Sequence, residues 1–184
     1  DRLLGGPEPY ANSVDTFRFV VFQDPAWNWR TFSLQRDTSR ADSVARGTLS
    51  AVDPDLTRFA GRGGKLLMYH GWADHSIAPR ASVNFYESTR KATRAPAANA
   101  DWVRLFMVPG MQHCSGGEGP DTFDAVGALE SWVEQGRPPA SMIASHSTSG
   151  RVDRTRPLCS YPQVARYKGT GSIDEAASFA CMAP

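Results

Sequence analysis

Two short segments hold most of the residues that could do chemistry. His70-Gly71-Trp72-Ala73-Asp74-His75-Ser76-Ile77-Ala78-Pro79 sets a carboxylate among histidines, and Pro109-Gly110-Met111-Gln112-His113-Cys114 sets an imidazole beside a thiol. A carboxylate and an imidazole are the pair that activates a hydroxyl nucleophile. The imidazole takes the proton and returns it to the leaving group, while the carboxylate holds the ring in one tautomer and stabilises its cation. Asp74 and His113 are the candidates for these two roles. The plain alternative makes Asp74 a turn residue and His113 a loop histidine. His70 and His75 compete as the base, although His70 is better suited to line the site or hold the loop. His70, Trp72 and Ile77 flank the acid and are candidate contacts for an acyl group. His146 lies in a Ser/Thr-rich stretch and is expected to be exposed.

Such a pair works only if the chain brings its two loops together. Lys65–His70 is a short apolar run bounded by glycines and reads as a buried strand; residues 102–108 read as a second, stopped by Pro109-Gly110. Ala78-Pro79 opens a helix to about Ala92, with proline in its first turn. Asp121 is expected to cap a further helix with Phe123, Val126, Leu129 and Val133 at helical spacing, ended by Gly136. Strand, helix, strand, helix argues for a parallel sheet in an α/β fold. Active sites of such sheets form beyond the carboxyl ends of the strands, which is where Asp74 and His113 fall. Both strands read as buried on two faces, and two strands do not complete a doubly wound sheet. The remainder of the sheet is therefore expected from outside these residues.

The earlier part of the chain is less regular. Phe17, Phe19, Phe22, Trp27, Trp29 and Phe32 crowd together. Asp15 is expected to cap a short helix through Phe22, broken before Asp24-Pro25. Asp53-Pro54 is expected to open a helix over 54–60, ended by Gly61.

Composition narrows the function classes. The chain has 184 residues, 41% apolar and 21% charged, with a net charge of +1. That suits one domain with a real core, gives no electrostatic support to nucleic-acid binding, and offers no apolar run of membrane-spanning length. Asp1-Arg2-Leu3-Leu4-Gly5-Gly6 has neither an initiator Met nor a signal peptide and reads as a trimmed start. The three cysteines, Cys114, Cys159 and Cys181, lack zinc-site spacing. A disulfide between Cys159 and Cys181 would close a loop of about 20 residues around a Gly/Ser-rich segment, worth roughly 3 kcal/mol, and would imply an oxidising compartment. The alternative is two buried thiols. Cys114 is left over, which points to a partner elsewhere.

Four segments carry a family resemblance: DPDLTRFAGRGGKLLMYHGWADHSIAPR, VRLFMVPGMQHCSGG, FDAVGALESWVEQGRPP and VDRTRPLCSYPQVARYKGTGSIDEAASFAC. Together with DPAWNWRTF they resemble the C-terminal third of the tannase/feruloyl esterase family, and the likeness runs from about residue 15 onward. The resemblance implies an α/β-hydrolase core with an inserted lid. Residues 1–30 would be a return from the lid and 31–184 the C-terminal part of the catalytic core. It implies Asp74 as acid, His113 as base and a Ser-His-Asp triad cleaving phenolic esters of the feruloyl, galloyl or chlorogenate type. It further implies a Cys159–Cys181 disulfide, and a bond from Cys114 to a Cys beside the nucleophilic serine in an upstream Cys-Ser-x-Gly-Gly elbow. No such elbow is present. Ser115 follows the histidine loop rather than a strand-to-helix turn, so it is a poor nucleophile candidate. The implied partner is the N-terminal part of the same enzyme. No cofactor is expected in this chain; the resemblance implies calcium for many members' lids, which would lie upstream, and a secreted or periplasmic location is expected. Two alternatives stay open: an esterase of the same family for another ester, such as a polyester monomer, or a non-catalytic binding or structural fragment with the aromatic cluster as its interface.

Overall fold

Val103, Leu105 and Met107 pack on one side of a strand, Phe106 and Val108 on the other, and both sides are buried. This strand organises the larger of two units in a computed structural model that describes residues 9–45 and 51–184. The units are Asp1–Val52 and Asp53–Pro184, so the chain divides after the aromatic-rich segment. The expected trimmed start at Asp1–Gly6 lies outside the described residues.

In the smaller unit, helix α1 (Ala11–Asp15) runs directly into a π-helical turn, Thr16–Val21. Asp15 does not cap it, contrary to expectation. It lies inside the helical run, and its carboxylate makes no cap bond. The aromatic residues pack on one another: the Trp27 ring stacks on Phe22 at 5.1 Å and on Phe17 at 5.5 Å between centroids, and Phe32 meets Phe17 edge-on. Helix α2 (Leu34–Ala45) was not foreseen. It buries Asp37, whose carboxylate accepts from Nε of Arg36 at 2.6 Å and from the Ser33 amide at 2.8 Å.

The larger unit begins with helix α3 (Thr57–Gly61). Pro54–Leu56 stays outside it, because Asp53 and Asp55 each accept an amide two residues on and turn the chain before the helix starts. Strand β1 (Leu66–Gly71) then pairs in parallel with β2 (Val103–Val108), Leu66 against Val103 through Gly71 against Val108. Between them runs α4 (Pro79–Ala92), with Pro79 in its first turn and Val83, Tyr86 and Thr89 turned into the core. Alternating β2 side chains feed two clusters. Val103, Leu105 and Met107 meet Ala60, Val83 and Tyr86, while Phe106 and Val108 meet Met111, Met142, Ala144 and Leu158. β1 is only half-buried, with Tyr69 exposed, so the two-sided burial expected of it holds for β2 alone.

Helix α5 (Ala125–Gln135) begins later than expected. Asp124, not Asp121, caps it by accepting from the Gly127 amide at 2.7 Å; Asp121 instead accepts from the Gly116 amide in the preceding loop. Its inward face is Ala125, Ala128 and Trp132, while Val126 and Val133 are exposed. Gly136, in the left-handed region at φ 66°, ends it as expected. An antiparallel hairpin follows, β3 (Ser141–Thr148) with β4 (Arg151–Cys159), then a second pair, β5 (Val164–Tyr167) with β6 (Phe179–Met182). The Tyr161 amide bonds the Leu105 carbonyl at 2.8 Å and ties these pairs to the edge of β2. Cys159 and Cys181 form a disulfide linking the end of β4 to β6.

Candidate active site

Gly71 is what lets the two chemical loops meet. A Cβ there would lie 2.1 Å from the Met111 carbonyl oxygen, so only glycine permits this approach. The Trp72 amide donates to the Val108 carbonyl at 2.9 Å and the Ala73 amide to the Met111 carbonyl at 3.0 Å. These bonds carry the parallel pairing past the ends of β1 and β2 and lock the loop bearing Asp74 against the loop bearing His113.

Asp74 is the centre of the arrangement. Its side chain is 2% exposed. Oδ1 accepts from the amides of Ser76 at 2.8 Å and Ile77 at 2.9 Å. Oδ2 lies 2.9 Å from Nδ1 of His113 and 2.9 Å from Nε2 of His70. Burial pushes the carboxyl up, but the Ile77 amide, the His113 ring, the Ser76 amide and the His70 ring push it down by more. The net position is well below the ordinary carboxylate range. Asp74 is thus an anion with donors at both oxygens, and each imidazole must present N–H to it.

His113 is 52% exposed at its side chain. With Nδ1–H on Asp74, its Nε2 is left as a lone-pair acceptor with no hydrogen bond among the described residues. His70 differs: it is 11% exposed, and its second nitrogen, Nδ1, lies 2.7 Å from Oγ of Ser82 on the first turns of α4. Both of its nitrogens are engaged. A shallow cavity of about 110 Å³ lies over the pair, walled by Tyr69, His70, Gly71, Asp74, Ile77, Met111, His113 and Cys114. Ile77 is therefore in the wall; Trp72, 42% exposed, is not.

The other candidates fall elsewhere. His75 makes no hydrogen bond among the described residues and is exposed. His146, expected to be exposed, is half-buried in β3 with Nδ1 2.6 Å from Asp153. Cys114 is exposed, unpaired within the chain and held at φ 64° beside His113. Ser115 is exposed in the turn that follows and heads no helix. Among the described residues no group of three His, Cys, Asp or Glu could hold a metal ion, and no helix is long and apolar enough to cross a membrane. Ser82 had not been singled out. Its one sequence signal is its place near the start of the helix that follows the acid loop.

Adjacent parallel strands whose C-terminal loops join a buried carboxylate to an exposed imidazole put the chain in the α/β class whose sites lie at strand ends. The family model for tannase and feruloyl esterase matches residues 7–182, and the chain belongs to that family. It is 42% identical over 184 residues to the mono(2-hydroxyethyl) terephthalate hydrolase of Piscinibacter sakaiensis, covering 97% of this chain and 29% of that protein. It is 31% identical over 194 residues to a probable feruloyl esterase B-2 of Aspergillus terreus, covering 95% of this chain and 36% of that protein. The crystal structure of feruloyl esterase B from Aspergillus oryzae matches with a TM-score of 0.79 at 28% identity, over 95% of this chain and 38% of that one. The chain thus spans about a third of the length of these relatives.

Proposed function

We propose that this chain is the C-terminal part of an α/β-hydrolase core and supplies the acid, Asp74, and the base, His113, of a Ser-His-Asp carboxylic ester hydrolase. The observation that carries this reading is the contact of His113 Nδ1 with the buried Oδ2 of Asp74, which leaves Nε2 of this cavity-lining ring without a hydrogen bond among the described residues. The nucleophilic serine and the oxyanion-hole donors would come from a segment outside these residues. Two features support that. The second edge of β1 has no strand partner among the described residues, and Tyr69, Val126 and Val133 leave apolar surface on β1 and α5 exposed. Cys114, next to His113, is the proposed attachment point, through a disulfide to a Cys beside the serine. The Cys159–Cys181 bond supports a secreted or periplasmic location. Residues 1–30 are read as the return from the lid. The calcium proposed for that lid has no ligand group among the described residues, and no step here depends on it.

In the proposed reaction His113 Nε2 takes the serine proton as the hydroxyl oxygen attacks the ester carbonyl. It passes that proton to the departing alcohol, then activates water to release the acid. Asp74 stabilises the imidazolium in both halves. Phenolic acid esters of the feruloyl, galloyl or chlorogenate type are the proposed substrates, with His70, Trp72 and Ile77 as acyl-side contacts; His70 and Ile77 are the two of these that line the cavity. A second reading, an ester released from an aromatic polyester, is favoured by the 42% identity to the terephthalate monoester hydrolase. Hydrolysis of feruloyl, galloyl and mono(2-hydroxyethyl) terephthalate esters by the esterase containing this segment, compared with its His113→Ala variant, tests both. Loss of all activity in the variant is expected. Retained activity, or esterase activity sensitive to a serine inhibitor in the pure 184-residue chain, would defeat the reading.

A further inference from the structure

Resting on that reading, we propose that Ser82 and His70 are positioning residues for the acid: Ser82 fixes the tautomer of His70, and His70 fixes Oδ2 of Asp74 for His113. The four groups form one line, Ser82 Oγ to His70 Nδ1 at 2.7 Å, His70 Nε2 to Asp74 Oδ2 at 2.9 Å, and Asp74 Oδ2 to His113 Nδ1 at 2.9 Å.

The proton positions follow from the end that is certain. An ionised Asp74 has no hydrogen to give, so Nε2 of His70 carries one. The ring is 11% exposed, and its other nitrogen lies against a hydroxyl on the first turns of α4. In the proposed arrangement His70 is the Nε2–H ring, whose Nδ1 lone pair accepts the hydroxyl of Ser82; that hydroxyl has no other hydrogen bond among the described residues. In the opposite tautomer the Nε2 lone pair would face a carboxylate oxygen, a repulsive contact. Asp74 favours the Nε2–H tautomer from one side of the ring, and the Ser82 hydroxyl, donating to Nδ1, enforces the same choice from the other. This is the logic that a triad carboxylate applies to its base, repeated one residue further back.

The consequence is a carboxylate that cannot turn. Two amides hold Oδ1 and two imidazoles share Oδ2. His113 is half exposed and held through Nδ1 on Oδ2, so the direction of its Nε2 depends on a fixed Oδ2. His70 supplies that from within the wall of the site, without touching the reacting atoms.

The test is the imidazole ¹⁵N–¹H spectrum of the esterase containing this segment, as wild type, Ser82→Ala and Ser82→Thr. The wild type should show His70 as a single Nε2–H tautomer with a hydrogen-bonded Nδ1. Ser82→Ala should remove the hydrogen-bond shift at Nδ1, broaden or mix the tautomers, and speed solvent exchange of the His113 Nδ1–H; Ser82→Thr should restore all three. A wild-type His70 protonated at Nδ1, or Ser82→Ala spectra superimposable on wild type at His70 and His113, would overturn the proposal. In the esterase containing this segment, Ser82→Ala should lower kcat about three- to tenfold, the span of one hydrogen bond, with KM unchanged and kcat regained in Ser82→Thr. An unchanged kcat would overturn the positioning role. If Asp74→Asn leaves hydrolysis intact, the ester hydrolase reading falls instead, and the spectra still decide the pairing of Ser82 with His70.

Discussion

His70 and His113 meet on a single atom. Oδ2 of Asp74 lies 2.9 Å from Nε2 of one and 2.9 Å from Nδ1 of the other, although His70 stands on β1 and His113 in the loop after β2. One ring is packed inside and the other is half exposed. The inner ring has no spare nitrogen, so only the outer one can exchange a proton with a bound molecule. Burial thus divides two chemically identical side chains into a fixed one and a working one.

Asp74→Asn is the sharpest test of that division. Asparagine is nearly isosteric but presents an NH₂ in place of one oxygen: at Oδ2 it would face both imidazole N–H groups, and at Oδ1 the amides of Ser76 and Ile77. If His113 turns over to keep a hydrogen bond, its Nε2 becomes a donor and can no longer act as base. The expected outcome, in the esterase containing this segment, is a fall in kcat on the order of 10⁴-fold with little change in KM. Steady-state kinetics on a soluble aryl ester would measure it.

The wild type should lose more stability to acid than that variant loses. The Asp74 carboxyl is held below its ordinary range in the folded chain, so the folded state binds its proton less tightly than the unfolded state does. The stability it contributes is complete above the unfolded value of about 3.9 and is lost as pH falls from there toward the folded value. Asp37, lowered chiefly by Arg36, and Asp153, lowered chiefly by Thr148, act in the same direction. Asp74→Asn should therefore flatten the decline in melting temperature below pH 4 without abolishing it. An identical slope in the two proteins would mean that Asp74 is not held as an anion.

The elements that place Asp74 and His113 were readable because each has a strong local signal: apolar runs bounded by glycine and proline, and a proline at a helix start. The hairpin of β3 and β4 was not. Its strands are largely polar, its Pro157 reads as a breaker, and its turn, Ser149-Gly150, takes positive φ at both residues, at 49° and 77°, where serine is a weak signal. At α5 two acids precede the helix, and spacing does not show that Asp121 is taken by the Gly116 amide. The apolar positions Val126 and Val133 misled because the helix packs through Ala125, Ala128 and Trp132. Ser82 was invisible for another reason: its partner is a ring on a different element, and one serine in a helix carries no pattern.

Gly71→Ala tests whether loop approach, rather than the side chains alone, builds the site. The added methyl would meet the Met111 carbonyl at 2.1 Å, and the backbone would have to part where Ala73 bonds that same carbonyl. Overpacking of this kind costs about 1–3 kcal/mol. Thermal denaturation should show that loss, and the His113 Nδ1–H signal should weaken as the loops separate. A variant as stable as wild type, with that signal in place, would show that the loops hold their distance without help from glycine.

The Cys159–Cys181 bond should matter for stability and not for the site. It closes the polar loop that carries β5 and joins β6 to the end of β4, where the chain between has few buried apolar side chains to hold it. Residues His70, Asp74 and His113 lie on other elements. Cys159→Ser combined with Cys181→Ser should therefore lower the unfolding free energy by roughly 3 kcal/mol, the loop-closure entropy for a ring of this size. The imidazole spectra of His70 and His113 should stay unchanged below the melting point. Denaturant titration read beside those spectra separates the two effects. Movement of the His70–Asp74–His113 signals in the folded variant would place the disulfide in support of the site as well as of the fold.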